Sequence, residues 1–230
     1  METLEARRWR FKGPEMEGPI ARWYARTRGT GPQLEAYREQ ATTLTAGLPA
    51  GARVLEVAPG PGYLAIELAR RGRFEVIGLD ISATFVEIAS RNASEAGVNV
   101  DFRRGDVARM PFPSGSFDLL VCQAAFKNFV EPSAALAEMH RVLRPGGTAV
   151  IQDLSKDATH ADIDREVAAM QLGGLRAFAT RATLETLKRR AYTAAQYATL
   201  ASGSPFRTCS ITTSGIGLEV RLNKENPPAA

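Results

Sequence analysis

The sequence predicts an α/β fold built on a doubly wound, mostly parallel sheet, and three observations predict it. Apolar strand-like runs alternate with helical patterns from residue 52 to 153, the order that places helices on both faces of a parallel sheet. Residues 54–69, VLEVAPGPGYLAIELA, pass from a buried-strand pattern through a glycine turn directly into an apolar helix. Two short strand patterns, 206–213 and 217–223, are joined through Ser214-Gly215 and predict a C-terminal antiparallel hairpin.

With 230 residues the chain suits one domain with a sizeable core, or one domain plus a small lid. Its 44% hydrophobic and 23% charged residues are ordinary for a globular protein. No apolar run approaches a membrane span, and the opening METLEARRWRFKG lacks the apolar core of a signal peptide. A cytoplasmic location is therefore expected. Cys122 and Cys209 fall in predicted strands without any Cys-x-x-Cys or Cys/His cluster, which predicts buried thiols and no metal centre. The first thirty residues hold Arg7, Arg8, Arg10, Lys12, Arg22, Arg26 and Arg28 against Glu2, Glu5, Glu15 and Glu17, most of the net charge of +4. Such an arm can steer an anion, close over a site or pair two copies as a homodimer. Without interleaved aromatics it reads first as a solvated amphipathic segment, and nucleic acid is not expected as a partner.

Residues 1–49 form an arm and helical cap: an irregular stretch through Pro19, then helical patterns at 20–28 and 32–48 that stop at Pro49-Ala50-Gly51. Trp23 and Tyr24 are suited to line a cleft, with Trp23 the more ordinary packing aromatic. The domain proper spans 50–223. Its first strand, Val54 to Val57, ends in a turn where Gly60 and Gly62 let backbone approach a ligand and the next helix presents free N–H groups. Gly60, Gly62 and Ala65 fit the G-x-G-x-x-G/A pattern of nucleotide sites, and a tight turn without a ligand fits as well. Ala58 and Gly60 precede prolines, which predicts extended backbone at both. Glu56, at the carboxyl end of the strand, repels a pyrophosphate and welcomes a cation such as a sulfonium or α-ammonium group.

These residues, Glu56-Val57-Ala58-Pro59-Gly60-Pro61-Gly62, resemble motif I of the class I S-adenosylmethionine-dependent methyltransferases, of the ubiquinone/menaquinone and small-molecule branch, with Ala58 in place of the first glycine. The resemblance implies a seven-stranded Rossmann-like sheet and S-adenosyl-L-methionine as cofactor. It covers roughly residues 50–223.

The second strand, 74–79, leads to Asp80, eighteen residues past Gly62, at the spacing where a carboxylate accepts ribose hydroxyls; Ile81 can then lie on the adenine face. Asp80 can instead cap the next helix, a role open to Ser82. That helix, 82–96, ends at Gly97, and a strand at 98–103 leads to Asp106 and Val107. The resemblance puts Asp106 by the adenine amine and the adjoining backbone N–H by a ring nitrogen; a turn-capping aspartate is the plain alternative. A strand at 119–122 places Gln123 at the carboxyl edge. ALAEMHRVLRPGGTAVI resembles the family's helix, turn and strand, here 132–143 and 148–153, with His140 a packing or surface residue. Residues 155–190 read as a helical insertion with Ile163, Val167 and Met170 on one face. A helix at 194–201, the hairpin and a frayed tail at 224–230 complete the chain.

The expected function is methyl transfer to a small-molecule acceptor by in-line displacement. Tyr24, Phe126 and Phe129 suggest an apolar or aromatic acceptor pocket, Lys127 a partner for an acidic group, and His160, in the loop after the fifth strand, a base. An exposed loop histidine is the plainer reading of His160. A nicotinamide-dependent oxidoreductase and a non-catalytic partner protein on the same fold are the alternatives.

Overall fold

A computed structural model describes residues 16–226; the basic residues Arg7, Arg8, Arg10 and Lys12 and the end of the tail lie outside them. Two N-terminal helices, α1 (Gly18–Arg28) and α2 (Gly31–Leu44), precede β1 (Arg53–Val57), α3 (Tyr63–Arg70), β2 (Glu75–Asp80), α4 (Ala83–Glu95), β3 (Asp101–Arg104) and β4 (Phe117–Gln123). Then come α5 (Pro132–Val142), β5 (Leu143–Leu154), α6 (His160–Ala169), α7 (Gly174–Lys188), α8 (Ala194–Ser202), β6 (Ser210–Ser214) and β7 (Gly217–Asn223). The seven strands lie in the order β3-β2-β1-β4-β5-β7-β6. The first five run parallel, while β7 pairs antiparallel with both β5 and β6.

β1 sits centrally because every side chain from Val54 to Val57 is buried. Alternation splits them between the sheet's faces. Leu55 and Val57 join a core with Ile77, Leu120, Ile151 and Val220, and Val54 joins one with Leu64, Leu68 and the α2 residues Ala41 and Leu44. Glu56 therefore shares the face of Val54, beneath α2 and α3. Strand order reverses between β1 and β4, so the crevice at their carboxyl ends is where such a sheet takes a ligand.

Several boundaries differ from expectation. β5 begins at Leu143, and Arg144 to Gly147 form an irregularity inside it, since its pairing with β4 shifts between Phe117 and Leu119. α1 takes in Gly18 and Pro19, with proline in the first turn, where its missing N–H costs nothing. α2 stops at Leu44. Cys209 precedes β6 and is half-buried rather than lying within a strand. In the insertion Ile163 and Val167 are buried, but Met170 caps α6 and is exposed. Among the described residues, no helix is long and apolar enough to cross a membrane.

Candidate active site

A cavity of about 110 Å³ opens at the crevice. Its wall combines Tyr24 and Arg28 of α1, Tyr37 of α2, Glu56, residues 58–61, Tyr63 and Leu64 of α3, and Gln123 and Ala124 at the end of β4. Glu56 is only 2% exposed, and its Oε2 has no hydrogen-bond partner among the described residues. Burial pushes its carboxyl up to about 8; the N–H of Ala65 opposes the rise and the Asp80 carboxylate adds to it.

The loop after β1 corrects the expectation of extended backbone. Ala58 and Gly60 both take left-handed conformations, with φ of +53° and +54°. The Ala58 N–H donates to Leu79 O at 2.8 Å, which ties the turn to β2 and holds an alanine where glycine is favoured. The N–H groups expected to face a ligand are engaged within the fold: Gly60 donates to Asp80 Oδ2 and Gly62 to Pro59 O, each at 3.0 Å. The two glycines also differ. A Cβ on Gly60 would meet nothing within 4 Å, leaving room for a ligand. On Gly62 it would lie 2.7 Å from Phe102 Cζ and 2.8 Å from Ala89 Cβ, so Gly62 also lets the turn pack against β3 and α4.

Asp80 lies at the end of β2, 5% exposed, with Oδ1 accepting from the Ser82 N–H at 2.9 Å. Burial raises its carboxyl to about 6, against the opposing N–H groups of Ser82 and Gly60. Ser82 caps α4 through Oγ, which accepts from the Phe85 N–H. Ile81 is half-buried beside Asp80. Asp106 Oδ1 accepts from the Ala108 N–H at 2.9 Å, the turn-capping alternative, and Val107 packs on the core. None of Asp80, Ile81, Asp106 and Val107 lines the cavity.

Gln123 does line it, and its side chain donates to Gln40 Oε1 of α2 at 2.8 Å. Gln40 in turn donates to Gln152 of β5, and Gln152 to Glu219 of β7 at 2.7 Å. This chain of amides holds α2 against the carboxyl edge.

The expected acceptor residues divide. Tyr24 is on the wall, but Phe126 is fully buried, its ring 5.3, 5.8 and 5.4 Å from those of Phe129, Tyr192 and Tyr197. Phe126 is a core residue, and Phe129 packs half-buried on the same cluster. The greasy pocket expected from them is replaced by a wall of phenols, an arginine and a carboxyl group. Lys127 is buried and ion-paired with Asp153 at 2.6 Å, so it is not available to an acceptor. Trp23 is 61% exposed, neither packed nor on the wall. His160 starts α6 rather than lying in a loop, and its exposed ring contacts Glu185 away from the cavity wall. Tyr37 was not anticipated, and Arg28 was read only as one of the basic residues of the N-terminal arm. Their only signal is the four-residue spacing of Tyr24 and Arg28 on one helix, and nothing local says that α2 delivers Tyr37 to the same place.

Residues 54–147 match the family described as methyltransferase domain. This segment is similar to that family. It contains Glu56, the glycine turn, Asp80, Asp106 and Gln123, while Tyr24, Arg28 and Tyr37 come from the helices before it. The chain is 39% identical over 108 residues to demethylmenaquinone methyltransferase of Deinococcus radiodurans, over 46% of this chain and 45% of that protein. It thus spans under half the length of that relative. A solved [4+2]-cyclase, SpnF, is 30% identical with a TM-score of 0.51, over 54% of this chain and 46% of that one. A SAM-dependent methyltransferase from Aquifex aeolicus has a similar fold, at TM-score 0.66 and 17% identity, covering 88% of this chain and 97% of that one.

Proposed function

We propose that the protein binds S-adenosyl-L-methionine and catalyses transfer of its methyl group to a small-molecule acceptor. The observation that carries this reading is the buried Glu56 carboxyl with an unpartnered oxygen beside the open Gly60 position. A buried polar atom without a partner is costly. An α-ammonium group at Oε2 satisfies it and returns the carboxyl to its charged form. Asp80 is the residue to hold the ribose, with Asp106 and Val107 at the adenine. When bound, the cofactor supplies a methyl group on a positively charged sulfur.

The chain's part is then to hold donor and acceptor in line, and orientation of this kind contributes roughly 7–11 kcal/mol in well-placed systems. On this reading the acceptor approaches past Gln123 and Ala124, where β4 ends at the cavity wall. No described histidine lies on this wall. An acceptor acidic enough to ionise near neutral pH fits it best, and similarity to a demethylmenaquinone methyltransferase supports a quinone-related aromatic ring.

Calorimetric titration with S-adenosylhomocysteine tests the reading. Saturable one-to-one binding is expected, lost in Glu56→Gln, with no binding of NADH; binding of NADH but not of S-adenosylhomocysteine overturns it. A second reading follows from the similarity to a cyclase: the same pocket serving a reaction other than methyl transfer. Cofactor binding without transfer of labelled methyl to any aromatic acceptor favours it.

A further inference from the structure

α3 carries Glu67, Arg70 and Arg71 three and four residues apart, a spacing that puts them on one face of its last turn. With Arg38 of α2 they line a cleft of about 380 Å³, which shares no residue with the wall of the cavity at Glu56. Three guanidiniums around one cleft repel one another, and each is held there along one edge. Glu67, only 5% exposed, divides between two of them: Oε1 accepts from Arg70 Nη1 at 2.6 Å, and Oε2 lies 3.5 Å from Arg38 Nε. Arg71 Nη1 donates to Thr42 Oγ1 at 2.9 Å, and Thr42, one turn after Arg38, donates to the Arg38 carbonyl. Glu35 reaches Arg38 Nη1 from outside the lining and is exposed, so water screens its charge. Among the described residues, Nη2 of all three arginines and Nε of Arg70 and Arg71 make no hydrogen bond.

We propose that this cleft binds a phosphate monoester. Three arginines against one glutamate leave the lining with an excess of two positive charges, the complement of a group that is close to a dianion at neutral pH. The free nitrogens belong to planar forks, whose geometry suits oxygens of a single tetrahedral anion. Glu67 does not compete for that role, because both of its oxygens are already occupied by the arginines it positions. A phosphate held here bridges α2 to the end of α3. Since the two linings are separate, the site stands whether or not a methyl donor binds at Glu56.

The test is calorimetric titration of the full chain with phenyl phosphate and with methyl phenyl phosphate, the corresponding diester. Saturable one-to-one binding of the monoester is expected, with the diester at least about tenfold weaker because it has lost one charge and one terminal oxygen. Arg70→Met and Arg71→Met should each weaken the monoester by about five- to tenfold. Arg73→Met, which removes an arginine close in sequence but outside the lining, should change it less than about twofold. Amide spectra of the same samples show that each variant is folded. The proposal is overturned if phenyl phosphate does not saturate the chain, or if Arg73→Met costs as much as Arg71→Met, which would make the attraction a diffuse one to a basic surface. Equal affinity for the diester also overturns it and assigns the cleft to phosphodiesters, the chemistry of lipid headgroups and nucleic-acid backbones.

Discussion

A carboxyl group buried with one oxygen unpaired works against folding until a cation reaches it, and Glu56 makes that cost measurable through pH. Its value in the folded chain, about 8, lies above the ordinary 4.5, so the folded state holds the proton more tightly than the unfolded chain does. The associated stability is complete below about pH 4.5 and is lost as pH rises through 8. Asp80, raised to about 6 from 3.8, acts in the same direction at lower pH. Glu56→Gln keeps the shape and removes the titration. Above pH 8 the variant should be more stable than wild type by on the order of 1–3 kcal/mol in urea unfolding, the two curves converging at acid pH. Parallel curves across the whole range would show that Glu56 keeps its proton in both states or in neither. Ala58 tests backbone strain in the same turn. Its left-handed conformation costs a non-glycine residue about 1–2 kcal/mol, and glycine gives back about half of that in chain entropy. Ala58→Gly is therefore expected to stabilise the protein by about 0.5–1 kcal/mol, and a loss of stability would place the alanine methyl in a useful contact.

The strand ends show what an element's own sequence can and cannot specify. β1, β2 and β4 follow the local apolar pattern closely, because a buried parallel strand is recorded in consecutive side chains, and antiparallel β7 follows its alternation, whereas β3, DFRR and mostly exposed, starts three residues later than its pattern suggests. The start of β5 was hidden: Pro145-Gly146-Gly147 reads locally as a turn, yet pairing with Phe117 carries Leu143 into the sheet. The site divides on similar lines. Glu56, Gly60 and Gln123 were legible because they adjoin strand ends that form the crevice, whereas Arg28 and Tyr37 arrive through the packing of α1 and α2, which no periodicity encodes. Phe126 was misread because a short helical turn after β4 sends it inward. That turn is secured by Lys127, whose N–H donates to Asp153 Oδ2 at 3.0 Å while its Nζ pairs with Oδ1, joining the ends of β4 and β5. Lys127→Met leaves Asp153 buried without its countercharge and should cost about 3–5 kcal/mol in urea unfolding. A change below about 1 kcal/mol would mean that water reaches the carboxylate.

Across the whole molecule, α1 is tied to the sheet's helical layer at a sensitive point, the start of α4. Glu17 accepts from the N–H groups of Ala83 and Thr84 at 2.9 and 3.0 Å, the Gly18 N–H donates to Thr84 Oγ1, and Ser82 Oγ donates to Met16 O at 2.7 Å. Burial opposes ionisation of Glu17, but its bonds to Thr84 and Ala83 outweigh it and hold the carboxyl below the usual range, as suits an acid at a helix N-terminus. Ala21 and Ala25 pack on Phe85 and Ile88 behind these bonds, and Tyr63 Oη donates to Ala25 O at 3.0 Å. Glu17→Ala should cost about 1 kcal/mol and speed amide hydrogen exchange in α1 more than in β1. Uniform exchange in the variant would show that α1 unfolds only with the domain. This attachment adjoins Asp80, whose oxygens already face Gly60 and Ser82 N–H groups. On the proposed binding of a nucleoside at Asp80, entry requires the bonds from Met16 and Glu17 to the start of α4 to let go. In rapid mixing, the rate of ligand capture should therefore level off at high concentration, and the plateau is the frequency of that release.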